Sequence, residues 1–248
     1  MIAVARIVLV MFLWAVCFPL ITAGFAYAPH FTFAALRAFL AGAALIGIGM
    51  ALRRPWPRGG RVWITLVIVG FGATSLGYFG MFMGSEFVLP GIATVIANTQ
   101  PLMAAGLAGL VLNERLGRVG WTGMALGLGG IVLIALPQLL TTSAQTGSFE
   151  SGLAYILMAA LGITISNVLI RAIAGKVDPI MVYWLWGTIL ATTELSRANA
   201  FSFLVPIFGL AMGAAFFGER LGWIEVAGIG LTLAGIALTN RRGIAAQP

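Results

Sequence analysis

GIATVIANTQPLMAAGLAGLVLNERLGRVGWTGMALGLGGIVLIA, residues 91–135, is echoed 105 positions later by SRANAFSFLVPIFGLAMGAAFFGERLGWIEVAGIGLTLAGIALTN, residues 196–240, with 12 identities in 45 pairs. The matches pair Pro101 with Pro206, Glu114-Arg115-Leu116-Gly117 with Glu219-Arg220-Leu221-Gly222, Gly123 with Gly228, and Gly130-Ile131 with Gly235-Ile236. Chance pairing of apolar letters does not put a proline and a polar four-residue block in register. The chain is therefore read as an internal duplication. Each copy carries one apolar run before the Glu-Arg block and one after it, of the size that crosses a bilayer: about 20 residues at about 1.5 Å rise for about 30 Å of hydrocarbon.

The rest of the composition agrees. Of 248 residues, 60% are apolar and 8% charged, against roughly a quarter charged in a soluble domain. A soluble single domain is excluded. Glycine (33) and proline (10) are both accommodated in membrane helices. Lysine and arginine outnumber the acids 14 to 7, but they sit at the ends of apolar runs and form no stripe, so no nucleic-acid partner is expected. A single cysteine, Cys17, and a single histidine, His30, leave no internal disulfide and no basis for a metal site. No phosphate loop, nucleophile-base constellation or metal spacing appears, so neither an enzyme nor a cofactor is expected.

Uncharged runs place helices near 6–26, 31–52, 62–83, 90–112, 119–139, 152–172, 198–217 and 223–240, with a short segment at 179–190. Ala26-Tyr27-Ala28 after the first run resembles a signal-peptide cleavage site, but the run is too long for one and Pro29 disfavours cleavage. It is read as a membrane span. The loop 53–61 holds four arginines and the loop 140–151 holds no base. Positive charge stays on the cytoplasmic side, which places both termini there. Arg220, on the outside, and Arg37, within the second span, are the two bases that do not fit.

The first helices of the two copies need another offset: Ala28-Pro29 matches Asp178-Pro179 at 150. The offset falls from 150 to 105, so the second copy is 45 residues short, with the junction near Leu190-Ala191. This divides the chain into a first repeat at 1–139, an outside loop at 140–151, an incomplete second repeat at 152–240 and a cytoplasmic tail at 241–248.

The doubled Pro-to-Glu-Arg block, Trp14 in the middle of the first span, and a Gly-rich helix after each block resemble the EamA-type branch of the drug/metabolite transporter superfamily. The resemblance implies ten helices in two five-helix repeats of opposite topology, with the substrate path between them near the midplane. Inversion accounts for Arg115 inside and Arg220 outside. Against that plan, this chain is expected to be an all-α polytopic membrane protein with about eight full transmembrane helices plus a short segment. Residues 179–190 give about 18 Å of helix, too short to span. The segment is re-entrant, or a homodimer partner fills the gap, or the sequence represents a ten-helix protein incompletely, which is the preferred expectation.

Several residues are candidates for the substrate cavity. Arg37 is a costly ionisable group within a span; it pairs with a substrate carboxylate or with Glu86, or its long stem snorkels to the interface. Asn98 and Gln100 precede Pro101, and Asn199 precedes Pro206. Each proline lacks an N–H and marks a helix kink that offers polar backbone, while the amides either line a cavity or bridge helices. Asn167, Tyr78 and Trp14 lie near span centres, suiting either an amphipathic solute or packing. The pairs Glu114-Arg115 and Glu219-Arg220 read as structural helix ends. The function expected is a secondary transporter of the bacterial inner membrane, exporting small metabolites such as amino acids or amphipathic drugs by alternating access. The alternative is a non-transporting or degenerate membrane protein, or a subunit that needs a partner. The expected partners are a small-molecule substrate and the lipid bilayer.

Overall fold

The computed structural model describes residues 2–24, 27, 29–88, 90–141, 149–217 and 221–241. Glu219 and Arg220, most of the loop 140–151 and all but the first residue of the tail 241–248 lie outside them. Twelve α-helices follow one another: α1 (Ile2–Gly24), α2 (His30–Ala51), α3 (Gly60–Gly70), α4 (Gly77–Phe87), α5 (Pro90–Ala97), α6 (Gln100–Val111), α7 (Arg118–Thr141), α8 (Phe149–Ala172), α9 (Trp184–Thr192), α10 (Leu195–Ala200), α11 (Leu204–Phe217) and α12 (Trp223–Thr239). There is no β-strand among the described residues. Among the described residues six continuous helical stretches are long and apolar enough to cross a membrane: Phe31–Ala51, Gly60–Gly84, Ile92–Val111, Arg118–Pro137, Phe149–Ala172 and Leu195–Phe216. Shorter apolar helices occupy Ala3–Cys17 and Trp223–Thr239. The protein is an all-α polytopic membrane protein.

Three of the spans are interrupted. A π-helical turn at Phe71–Leu76 joins α3 to α4. The widened turn lies against α8, where Ser166 Oγ donates to the Val69 carbonyl at 3.2 Å and to the Gly162 carbonyl at 2.8 Å. The span before the first Glu-Arg block breaks at Asn98 and Thr99, so that Pro101 falls in the first turn of α6, where its missing N–H costs nothing. A 3-10 turn at Phe201–Phe203 separates α10 from α11 and puts Pro206 in the first turn of α11. Both prolines thus sit just after a break, at matching places in the two copies.

The centre of the fold is the crossing of α7 and α12. A Cβ on Gly123 would lie 2.7 Å from the Gly235 carbonyl, and a Cβ on Gly228 2.7 Å from the Gly130 carbonyl. Gly123 corresponds to Gly228 and Gly130 to Gly235, so each glycine rests on the counterpart of the other. Only an antiparallel pair related by a two-fold axis across the helices packs in this reciprocal way. The two copies of this helix thus run antiparallel, as inverted repeats require. Thr232 and Thr239 donate across the seam to the carbonyls of Gly127 and Gly120 at 3.5 and 3.4 Å.

A second glycine seam joins α3–α4 to α8. Gly72 lies against the Gly162 carbonyl, and Gly162 against that of Gly72 at 2.7 Å from a built Cβ. In the duplication α8 corresponds to α1, on which Leu9, Phe12, Leu13 and Trp14 are exposed. The short segment resolves into a 3-10 turn at Pro179–Met181 and α9, nine residues long.

Candidate functional site

Where the repeats meet, amides from three helices converge. Gln100 Nε2 (α6) and Asn167 Nδ2 (α8) both donate to Asn199 Oδ1 (α10), at 3.3 and 3.4 Å. Asn199 Nδ2 turns back to the Leu195 carbonyl at 3.1 Å. Asn167 Oδ1 accepts from Trp186 Nε1 of α9 at 2.9 Å, and Thr164 Oγ1 reaches the Gln100 carbonyl at 3.5 Å. Gln100, Asn167 and Asn199 are 6, 7 and 2% exposed. A buried network of this kind consists of neutral dipoles whose partners are each other, so it fixes how α6, α8, α9 and α10 meet. Beside it, the Ser196 hydroxyl is buried with no hydrogen-bond partner, one turn from Asn199 on α10.

The network makes a testable distinction among the sequence candidates. Asn199→Ala strips the acceptor from two buried amide groups and is expected to cost about 1–3 kcal/mol. Asn98, whose Nδ2 bonds only the Thr94 carbonyl of its own helix at 2.8 Å, is expected to cost less than about 1 kcal/mol when changed to alanine. Thermal unfolding of the two variants in detergent checks the order; equal melting points would show that the network carries no stability.

A second polar group lies toward α2. Arg37, about 10 Å into α2 by helical rise, holds its guanidinium carbon 4.7 Å from the centroid of the Tyr78 ring, a cation–π contact. The Tyr183 hydroxyl lies 3.0 Å from Thr74 Oγ1, on the π-helical turn. Tyr183 takes a left-handed backbone, φ +50°, a strained conformation for a non-glycine residue that the surroundings must hold. The carboxylates of Glu114, Asp178 and Glu194 are paired with Arg171, Arg54 and Arg197, and Glu86 stands exposed at the end of α4. Among the described residues Arg37 has no carboxylate partner, so the pairing with Glu86 does not form.

The remaining candidates fall elsewhere. Trp14 is 42% exposed on the bare face of α1. Glu114 does more than end a helix: α6 stops at Val111, with Asn113 in the left-handed conformation, φ +56°, which asparagine tolerates. Glu114 then turns inward to Arg171, with Nε to Oε1 at 2.8 Å, while Arg115 is exposed. Arg171, Tyr183, Thr74 and Ser196 are absent from the sequence candidates. The signal for Arg171 was present, since a base ends α8, but it served only to orient the chain.

Known proteins place this architecture. The profile of the EamA-like transporter family matches residues 1–136 and, a second time, residues 147–241. The chain belongs to the EamA-like transporter family. An uncharacterized transporter of Synechocystis is 26% identical to this EamA-like protein over 290 aligned residues, covering 93% of this chain and 87% of the relative. A probable amino-acid metabolite efflux pump of Salmonella typhimurium is 26% identical over 281, covering 92 and 91%. A solved crystal structure superposes with TM-score 0.80 at 16% identity, over 96% of this chain and 97% of that one, which shows a shared fold. The EamA-like chain is a membrane transporter and not an enzyme. Its alignment with the Synechocystis relative is longer than its own 248 residues, so at least 290 − 248 = 42 aligned positions have no residue of this chain.

Proposed function

We propose that this EamA-like transporter is a secondary carrier that exports small anionic or zwitterionic metabolites, amino acids among them, by alternating access between its two repeats. Arg37 carries the reading. An arginine inside a span, stacked on Tyr78 and with no carboxylate partner among the described residues, offers a guanidinium fork to a solute carboxylate. The aromatic rings beside it suit an amphipathic body. The efflux-pump relative in Salmonella points to the same class of cargo. The neutral amides of the network carry no titratable proton, which favours exchange or uniport over proton coupling at this site. The arginine-rich end faces the cytoplasm of a bacterial inner membrane.

The bare face of α1 and the unmatched aligned positions favour a second reading, in which another copy of the chain completes the cavity wall. One experiment separates the readings. The purified chain, its mass confirmed at 248 residues, is reconstituted in liposomes loaded with unlabelled amino acids, and entry of labelled amino acid in counterflow is followed. Flux from monomeric protein supports the carrier as it stands, and flux that requires a cross-linkable dimer supports the completed wall. A folded protein with no flux for any zwitterionic or anionic solute sinks the proposal.

A further inference from the structure

At the end of the molecule that carries the arginines, one ion pair is built around a bend of the main chain. α9 ends at Thr192 and α10 begins at Leu195. Arg171 Nη1 donates to the carbonyls of Leu190 at 2.9 Å and Ala191 at 3.3 Å, and its Nε donates to Glu114 Oε1. Glu114 Oε2 accepts the Leu195 N–H at 2.6 Å. Glu114 follows α6 and Arg171 ends α8, so the pair grips the α9–α10 elbow from two other helices. The side chains are 11 and 19% exposed. Carbonyls ending one helix and an N–H opening the next are the groups a helix end leaves unsatisfied, and here charged partners take them, which strengthens each bond.

The duplication says what stands at the opposite end. Leu195 corresponds, 105 positions earlier, to Pro90, the first residue of α5, and proline has no N–H to donate. Glu114 corresponds to Glu219. Arg171 corresponds, at the offset of 150, to Ile21, and the chain has no arginine or lysine between Arg6 and Arg37, so no small shift of the alignment supplies one. The positions that correspond to Leu195 and Arg171 thus hold a proline and an isoleucine, neither of which can donate as those two residues do.

From this asymmetry we infer that Glu114 and Arg171 form a one-sided latch, holding the α9–α10 elbow against α6 and α8 and biasing the carrier toward the conformer closed at its basic end. The inference rests on the transporter reading. The latch also lies next to Leu190-Ala191, where the offset between the two copies changes. The Glu114 and Arg171 side chains keep part of their surface exposed, so water can replace their hydrogen bonds when the elbow moves away, and the closed state is favoured without being locked.

Spin labels test it. In a Cys17→Ser background, labels at Arg115→Cys and Thr192→Cys, both exposed, report the distance between the Glu114 side and the elbow by pulsed electron paramagnetic resonance. The unsubstituted latch should give one predominant short distance. Glu114→Gln and Arg171→Gln should each raise the longer-distance population about tenfold, equivalent to about 1.4 kcal/mol, while Arg171→Lys, which keeps a cation, should raise it less than about threefold. A role in helix capping alone would lower the melting point of these variants and leave the distance ratio unchanged; that result overturns the latch. If the neutral variants do not fold, a predominantly long distance with the native Glu114–Arg171 pair overturns it equally. No cargo is needed, so absent flux would count against the transporter reading alone, and an unchanged distance against the latch alone.

Discussion

Gly130→Val is expected to yield a chain that no longer assembles its two halves, with melting in detergent lowered by about 10 °C or the monodisperse species lost. A Cβ at Gly130 would lie 2.5 Å from the Gly228 carbonyl and 2.6 Å from the Thr232 N–H, far inside the roughly 3.5–4.0 Å of normal contact. Both obstacles are backbone, so neither can rotate away; the helices must separate along the seam. In a membrane there is little hydrophobic gain to hold helices together, and close packing supplies most of the attraction. Overpacking costs about 1–3 kcal/mol where side chains can adjust, and this site belongs at the upper end. For a chain of this size each kcal/mol moves the melting point by about 2–4 °C. By the reciprocal packing, Gly228→Val should do the same. Gly230→Ala, where a Cβ meets nothing within 4 Å, should be neutral or raise stability by up to about 1 kcal/mol through helix propensity. A Gly130→Val protein that melts within about 2 °C of the parent would refute the seam as the element that joins the repeats.

Arg37→Ala should lower the initial rate of zwitterionic or anionic flux by about tenfold or more while leaving the fold intact. The guanidinium is half-buried and rests on Tyr78, with no carboxylate partner among the described residues, so its removal strands no carboxylate among them and the stability cost is small. Arg37→Lys keeps the charge but loses the planar fork and the stacking, and should retain an intermediate rate. Flux of a cationic amphiphile, if carried, should change less than about twofold. Counterflow in liposomes measures all three, and unchanged zwitterion flux in Arg37→Ala would take Arg37 out of the site.

The candidates differ in how much the sequence showed of them. The spans and the internal duplication follow from apolar run length and from one repeated block, because burial in lipid constrains every residue of a span in the same way. Gln100, Asn167 and Asn199 are visible singly as polar residues within apolar runs. Their meeting at Asn199 Oδ1 is not visible, because it depends on how three helices rotate about their axes. Arg171 reads in the sequence as one more cytoplasmic base, and only the fold brings it to Glu114, 57 positions earlier. Tyr183 gives no signal at all, since a left-handed backbone at tyrosine is imposed by its neighbours.

By itself the sequence determined that this protein lives in a bilayer, that it is a doubled unit, and that Pro101 and Pro206 stand at matching places in the two copies. Those properties depend on local composition and on order along the chain. The tertiary structure alone decided that the copies are locked by glycines packed on each other's counterparts, that the amides satisfy one another, and that one ion pair holds the elbow between α9 and α10. These depend on which helix faces meet, and packing across the whole bundle sets that.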